Sequence, residues 1–153
     1  MIKIRPTKHH DLDVIYNHAC QLATISGTKS PDFILTKTKL EHDLFNSKTN
    51  WYGLVAEKNK EIIGSCLYGF VNTNRPFNKT GCLFLDILFV DSEYRNLGIG
   101  RLLMKKLTKI AQEKKLSRIE LWCMKSNILA NEFYIKVGAK QVDLLNVYTI
   151  NIE

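Results

Sequence analysis

The residues with the clearest chemical meaning lie in a turn between an apolar run that ends at Val90 and the amphipathic segment that follows. Gly98 and Gly100 fall in this turn, and Arg95 and Arg101 add positive charge on either side. The first N–H groups of a helix have no partner within it and lie at the positive end of its dipole, so they can bind a phosphate. Glycine also removes Cβ atoms that would hinder close approach. The turn therefore predicts a pyrophosphate site.

Two common nucleotide-binding motifs do not fit this turn. A Walker loop needs Gly-Lys-Ser/Thr, and the dinucleotide motif needs a third glycine at position 103, where this chain has leucine. Gly-x-Gly before a helix would by itself also suit an ordinary helix start.

A carboxylate lies inside the most apolar run of the chain, residues 82–90. Asp86 would be costly to bury there unless it has a partner or faces a cavity. Asp86 is therefore a candidate functional group, and a simple ion pair or strand-edge carboxylate is the alternative.

Two blocks of sequence carry a family resemblance. Residues 93–104, with Arg95, Gly98 and Gly100, resemble the acyl-CoA signature Arg/Gln-x-x-Gly-x-Gly/Ala of the GNAT superfamily of N-acetyltransferases. Residues 127–139 resemble its element Asn-x-x-Ala-x-x-Phe-Tyr-x-x-x-Gly-Phe/Ala. The resemblance covers most of the chain and is closest to the diamine and spermidine/spermine N-acetyltransferases, through residues 34–36, 85–90 and 127–139.

The resemblance implies acetyl-CoA as co-substrate and direct attack of a primary amine on its thioester. An alkylammonium with a pKa near ~10.4 is almost fully protonated at neutral pH, so a base is useful. Asp86 lies where the polyamine enzymes carry glutamate, which implies a base that acts directly or through water. Tyr134 matches the tyrosine that serves as acid toward the departing thiolate. Ile87 replaces an aspartate of those enzymes, so spermidine, a smaller diamine, an amino-acid side chain and other amines all stay open as acceptors.

The same resemblance implies a set of cofactor contacts, some made by backbone groups of the strand and turn. These residues are Leu88, Phe89, Val90, Arg95, Asn96, Leu97, Gly98, Ile99, Gly100, Arg101, Asn127, Ala130 and Tyr134. Ordinary structural roles remain as alternatives: a helix cap for Asn127, and core packing for Tyr134. Trp122 and Tyr68 are candidates for the acceptor pocket or the core.

The pattern of apolar residues predicts the elements that position these groups. We expect strands near residues 2–4, 51–57, 61–71, 82–90, 118–124 and 147–152, with residues 59–60 forming a hairpin turn. Helices are expected after Asp11, after Thr36 or Thr38, after Gly100 and after Ser126 or Asn127. This order predicts an α/β fold of the GNAT type: a mixed, mostly antiparallel sheet of six to seven strands, a parallel pair at the cofactor site, and helices on both faces.

Composition narrows the classes of function. With 153 residues, the chain is expected to form a single domain over residues 1–153. A net charge of +7 suits an anionic partner such as coenzyme A, and no basic run with interleaved aromatics indicates nucleic-acid binding. We expect no metal, because the four cysteines lack metal-site spacing and are expected to be buried thiols, and His9 and His10 are expected at the surface. No apolar run suits a signal peptide or membrane helix, so a cytoplasmic protein is expected.

Three functions remain open from the sequence. The leading one is acetylation of a small-molecule amine, and relatives of this type often form homodimers. The alternatives are a protein lysine or N-terminal acetyltransferase, and a non-catalytic acyl-CoA-binding module.

Overall fold

A mixed β-sheet forms the centre of the fold in the computed structural model, which describes residues 1–27, 34–71, 81–142 and 150. The strands in these residues are β1 (Ile2–Pro6), β2 (Trp51–Lys58), β3 (Glu61–Val71), β4 (Cys82–Val90) and β5 (Ile119–Leu121). They form one five-stranded sheet in the order β1-β2-β3-β4-β5. The α-helices are α1 (Leu12–Ile25), α2 (Lys37–Phe45), α3 (Ile99–Glu113) and α4 (Ile128–Lys136). The first four strands pair antiparallel, and β4 pairs parallel with β5.

Helix α1 packs on one face of the sheet together with α2, and α3 packs on the other. Leu12, Ile15 and Leu40 of α1 and α2 form a buried cluster with Val55 and Leu67 of the sheet. A larger cluster on the opposite face joins α3 to β2, β3 and β4. Its α3 members are Ile99, Leu103, Leu107 and Ala111. The predicted mixed sheet with helices on both faces is confirmed.

Local signals set several helix ends as the sequence predicts. Thr36 accepts a hydrogen bond from the Lys39 N–H and caps α2, and Asn127 caps α4 through the Ala130 N–H. Gly138 follows α4 with φ +95°, a left-handed conformation that suits glycine.

Asp11 does not cap α1 as the sequence predicts. Its side chain makes no cap hydrogen bond to that helix. Instead its carboxylate accepts hydrogen bonds from Arg5 at 2.7 and 2.9 Å and from the Lys8 N–H. The buried Arg5 guanidinium competes for the carboxylate because it needs a counter-charge.

The length of β5, the number of strands and the burial of the cysteines differ from the predictions. Strand β5 covers Ile119–Leu121 rather than residues 118–124, because β4 and β5 pair only as far as Leu121. The strand expected at residues 147–152 lies outside the described residues, apart from residue 150. Within the described residues five strands are seen, whereas six to seven are predicted. Cys66 and Cys82 are buried as predicted, but Cys20 on α1 and Cys123 after β5 are only half-buried, and neither belongs to the two core clusters. His9 and His10 are exposed, as predicted.

Candidate active site

A β-bulge interrupts β4 at Asp86. Leu67 of β3 lies opposite Ile87, but the next residue, Tyr68, lies opposite Leu85, so Asp86 has no register partner. A bulge inserts one residue and reverses which later side chains face each side. Leu88 therefore packs on the α3 side together with Leu85, and Ile87 packs on the α1 and α2 side.

Beyond this bulge, β4 and β5 diverge. Their pairing ends at Leu85 and Leu121, while β4 continues to Val90. The Asp91 N–H donates to the Ile63 carbonyl of β3 at 3.1 Å. Because backbone groups of an antiparallel strand alternate in direction, those of Leu88 and Val90 point away from β3, toward the gap. The second half of β4 thus offers a strand edge to an extended ligand.

The predicted pyrophosphate turn lies beside this edge. Asn96 (φ +62°) and Gly98 (φ +81°) are both left-handed, and Gly98 precedes the first residue of α3 without a side-chain cap. Ile99 is 1% exposed and anchors the start of α3 in the core, whereas Leu97 is exposed. A ligand can therefore reach the free N–H groups of the first turn of α3 through an open turn that contains glycine.

The two glycines have different roles. A Cβ on Gly98 would meet nothing within 4 Å, so Gly98 is required by its backbone conformation. A Cβ on Gly100 would lie 2.9 Å from Cζ of Phe133, so Gly100 allows α4 to pack against α3. Both glycines are predicted from the sequence to ease ligand approach, and for Gly100 the packing contact with Phe133 is an additional reason.

Each of the two arginines makes a contact within the protein. Arg95 Nε donates to the Val90 carbonyl at 3.0 Å, and its guanidinium lies 5.7 Å from the Phe89 ring centroid. This ties the turn to the end of β4. Arg101 is exposed and donates to the Lys136 carbonyl at 3.2 Å, near the C-terminus of α4. Of the two, only Arg95 contacts β4.

Tyr134 approaches the sheet from the α3 side. It is half-buried against the core, and its ring lies 5.4 Å from that of Phe133. Burial raises the pKa of Tyr134 well above its ordinary value, and the neighbouring thiols of Cys123 and Cys66 add to the effect. Cys66 lies opposite Leu88 and Cys123 follows β5, so these neighbours place Tyr134 beside the gap. The phenol is therefore protonated at neutral pH.

Asp86 approaches the same region from the opposite face. It lines a cavity of about 180 Å³ between α2, β2, β3 and β4. Although Asp86 is exposed at the rim, partial burial raises the pKa of its carboxyl, the negative Asp43 raises it further, and Lys39 opposes both. Asp86 and Tyr134 thus flank the site from the two sides of the sheet.

The cavity contains groups that sequence reasoning did not find. Lys39 Nζ lies 2.7 Å from Asp43 Oδ2, and both residues line the cavity with Trp51. Their spacing of four residues indicates a helical ion pair, but no sequence signal connects them to Asp86. Tyr68 is buried in the core, and Trp122 is exposed against Phe84; neither lines this cavity.

A buried histidine of α1 packs against the end of β4. His18 of α1 is 2% exposed, its Nδ1 lies 2.9 Å from Ser65 Oγ, and its Nε2 lies 3.4 Å from Asp91 Oδ1. Its ring also packs on Phe89, with centroids 4.7 Å apart. His18 could not be predicted from the sequence, because an isolated histidine on a helix gives no signal of its role.

The remaining site residues lie on α4. Asn127 is buried, and its Oδ1 caps the helix at the Ala130 N–H, which accounts for an asparagine there.

Within the described residues, no three His, Cys, Asp or Glu side chains are grouped so as to hold a metal ion. No described helix is both long and apolar enough to cross a membrane.

Comparison with known proteins places the chain in a family. Residues 16–139 match the model of the acetyltransferase (GNAT) family. The spermine/spermidine N(1)-acetyltransferase of Bacillus subtilis is 32% identical over 79 residues, which are 51% of this chain and 52% of that protein. The chain thus spans about half the length of that relative. The thialysine N-epsilon-acetyltransferase of Bos taurus is 27% identical over 92% of this chain and 85% of its own length.

A solved structure agrees with the fold. A "predicted acetyltransferase with acetyl-CoA" from Clostridium acetobutylicum has a TM-score of 0.80 and 21% sequence identity, and the match covers 97% of this chain and 96% of that one. The family model spans more than half of the chain. The chain belongs to the acetyltransferase (GNAT) family.

Proposed function

We propose that this protein transfers an acetyl group from acetyl-CoA to a primary amine of a small cationic molecule. The observation that carries the proposal is the gap beyond the bulge, where Asp86 lies on one face of the sheet and Tyr134 on the other. The glycine turn before α3 leads to the same gap. Since all five described strands share one sheet, we propose a single domain over residues 1–153.

The chain offers a fitting cradle for acetyl-CoA. The open N–H groups at the start of α3 suit the pyrophosphate, next to Asn96, Leu97, Gly98 and Ile99. The edge groups of Leu88 and Val90 suit the amides of an extended arm, like those of an added strand. When bound, acetyl-CoA supplies an activated acetyl thioester.

Asp86 acts as the base in this proposal. Its raised pKa brings the carboxyl closer to neutral, where a base transfers protons most effectively. It removes a proton from the acceptor ammonium, directly or through one water, and the freed amine attacks the thioester carbon. The C–N bond forms as the C–S bond breaks, and the nitrogen releases its second proton to solvent, which leaves the amide and the coenzyme A thiolate.

Tyr134 acts as the acid by donating its phenol hydrogen toward the departing sulfur. An ordinary thiol has a pKa near ~8.5, below that of this tyrosine, so complete transfer of the phenol proton is uphill. We infer that Tyr134 stabilises the thiolate by a hydrogen bond until a solvent proton neutralises it.

The names of the relatives support an amine acceptor. The Bacillus subtilis protein is a spermine/spermidine acetyltransferase, and the Bos taurus protein is a thialysine N-epsilon-acetyltransferase. The two carboxylates in the cavity, Asp43 and Asp86, suit an acceptor with positive charge.

Release of the coenzyme A thiol from acetyl-CoA, measured with polyamines, diamines, amino acids and peptides, tests this function. We expect Tyr134→Phe to lower kcat by about 10²-fold and Asp86→Asn by about 10²- to 10⁴-fold, with little change in the KM for acetyl-CoA. Tyr94→Phe is the matched control for the loss of a phenol hydroxyl, because the Tyr94 hydroxyl donates to Glu61. Asp13→Asn is the matched carboxylate control on the exposed face of α1.

Three results would contradict the proposal. Unchanged turnover in Tyr134→Phe would show that Tyr134 is not the acid. Tight acetyl-CoA binding without turnover on any amine would favour an acyl-CoA-binding module. Activity on peptides and none on small amines would favour a protein acetyltransferase.

A further inference from the structure

The Lys39–Asp43 ion pair forms part of the wall of the Asp86 cavity. Apolar side chains from α2, β3 and β4 and the ring of Trp51 make most of the remaining wall. Of the described residues that line it, three carry charge: Lys39, Asp43 and Asp86. The described part of the wall thus contributes two carboxylates and one ammonium group.

The ammonium group is held weakly. Lys39 and Asp43 are four residues apart on α2, and their side chains are 54% and 29% exposed. Such helical surface pairs contribute little to stability, so a competing cation can displace the lysine at small cost. Among the described residues, His42 also lies near Asp43, with its Nδ1 3.5 Å from Oδ1.

Asp43 and Asp86 lie close enough to influence each other. The charge of Asp43 raises the pKa of Asp86 across the cavity, and the charge of Lys39 lowers it. A ligand with two ammonium groups would neutralise both carboxylates at once, whereas a monoamine would leave one of them to Lys39.

We infer that Asp43 determines acceptor specificity by binding a second ammonium group of the acceptor, with Lys39 occupying that place in the free protein. The inference rests on the proposed function and assigns its substrate class as short aliphatic diamines. A cavity of about 180 Å³ is smaller than the ~300–1,000 Å³ typical of sites for drug-sized ligands, so it suits a short alkyl chain better than a sugar-sized acceptor. Apolar walls between two charged ends match the polarity of such a chain.

Kinetics with 1,4-diaminobutane and 1-aminobutane test the inference, because the two amines differ only in the second ammonium group. We expect wild type to prefer the diamine. Asp43→Asn should raise the KM for the diamine at least about tenfold, the typical loss for a hydrogen bond between charged groups, and change the KM for the monoamine less than about twofold. Lys39→Met should lower the diamine KM about twofold by removing the competing cation.

Glu41→Gln is the matched control, since it removes a carboxylate from the same helix outside the cavity. Calorimetric binding of both amines, without acetyl-CoA, separates the inference from the proposed function. Asp43-dependent diamine binding without turnover on any amine would refute the proposed function and retain the specificity role. Equal effects of Asp43→Asn on the two amines, or no preference for the diamine in either measurement, would overturn the inference.

Discussion

Replacing Gly100 with alanine tests why the second glycine of the turn is needed. An ideal Cβ at this position would lie 2.9 Å from Cζ and 3.0 Å from Cε2 of Phe133. Favourable contacts between carbon atoms are ~3.5–4.0 Å, so the ring or the helix must move by about 0.5–1 Å. The added methyl group therefore forces α3 and α4 apart or rotates the phenyl ring.

The expected cost follows from two opposing effects. Overpacking typically costs ~1–3 kcal/mol, and alanine returns up to ~1 kcal/mol through its better helix propensity. We expect Gly100→Ala to lower the free energy of unfolding by about 1 kcal/mol, measured by urea unfolding with linear extrapolation. In a Phe133→Leu background, the same change should be neutral or stabilising.

The double-mutant cycle decides between packing and ligand approach. A coupling of at least ~1 kcal/mol between Gly100→Ala and Phe133→Leu is expected, and additivity within ~0.5 kcal/mol would refute the packing argument. Gly98→Ala is the control, because its cost of ~1–2 kcal/mol comes from its left-handed backbone and should not depend on Phe133. A higher KM for acetyl-CoA in Gly100→Ala with unchanged stability would instead show that the glycine serves only the approach of the phosphates.

Three further predictions concern buried and charged groups. Burial lowers the pKa of His18 despite the opposing charge of Asp91, so the unfolded state binds more protons below about pH 6.5, and stability should fall from about pH 7 toward pH 5. His18→Gln should flatten this dependence in urea unfolding, and an unchanged slope would contradict it. Burial alone would raise the pKa of Asp11, but the hydrogen bond from Arg5 lowers it on balance, so its stabilisation should be lost as pH falls below about 4. Asp11→Asn should cost about 3–5 kcal/mol at neutral pH in the same assay and remove that acid dependence, and a loss below ~1 kcal/mol would contradict the pairing. Arg95→Leu should raise the KM for acetyl-CoA severalfold and leave the acceptor KM unchanged. A change in the acceptor KM alone would show that Arg95 serves acceptor binding and not cofactor binding.

The helix ends and the glycine turn could be predicted because their signals are local. Thr36 and Asn127 cap helices through amides three residues away, and Gly138 adopts its left-handed conformation next to the helix it ends. The left-handed Gly98 likewise lies beside the helix that it precedes. Interactions over a few residues depend little on the rest of the chain, so one sequence is enough to reveal them.

The bulge at Asp86 could not be predicted from the sequence. Its strand is apolar on both sides, so no alternation of polar and apolar residues shows where the side-chain direction reverses. The reversal depends on how Leu67 and Tyr68 of β3 align with β4. Strand β5 is shorter than predicted because its pairing with β4 ends at Leu121.

The sequence by itself determined the family, the order of the elements and the turn where coenzyme A is proposed to bind, because each depends on residues close together in the chain. Only the tertiary structure brought Asp43 to Asp86 and placed Tyr134 across the sheet from them. The tertiary structure also pairs Asp11 with the buried Arg5 guanidinium, so Asp11 does not cap α1 as predicted. Contacts between distant segments depend on strand register and packing, and neither is encoded in any short stretch of residues.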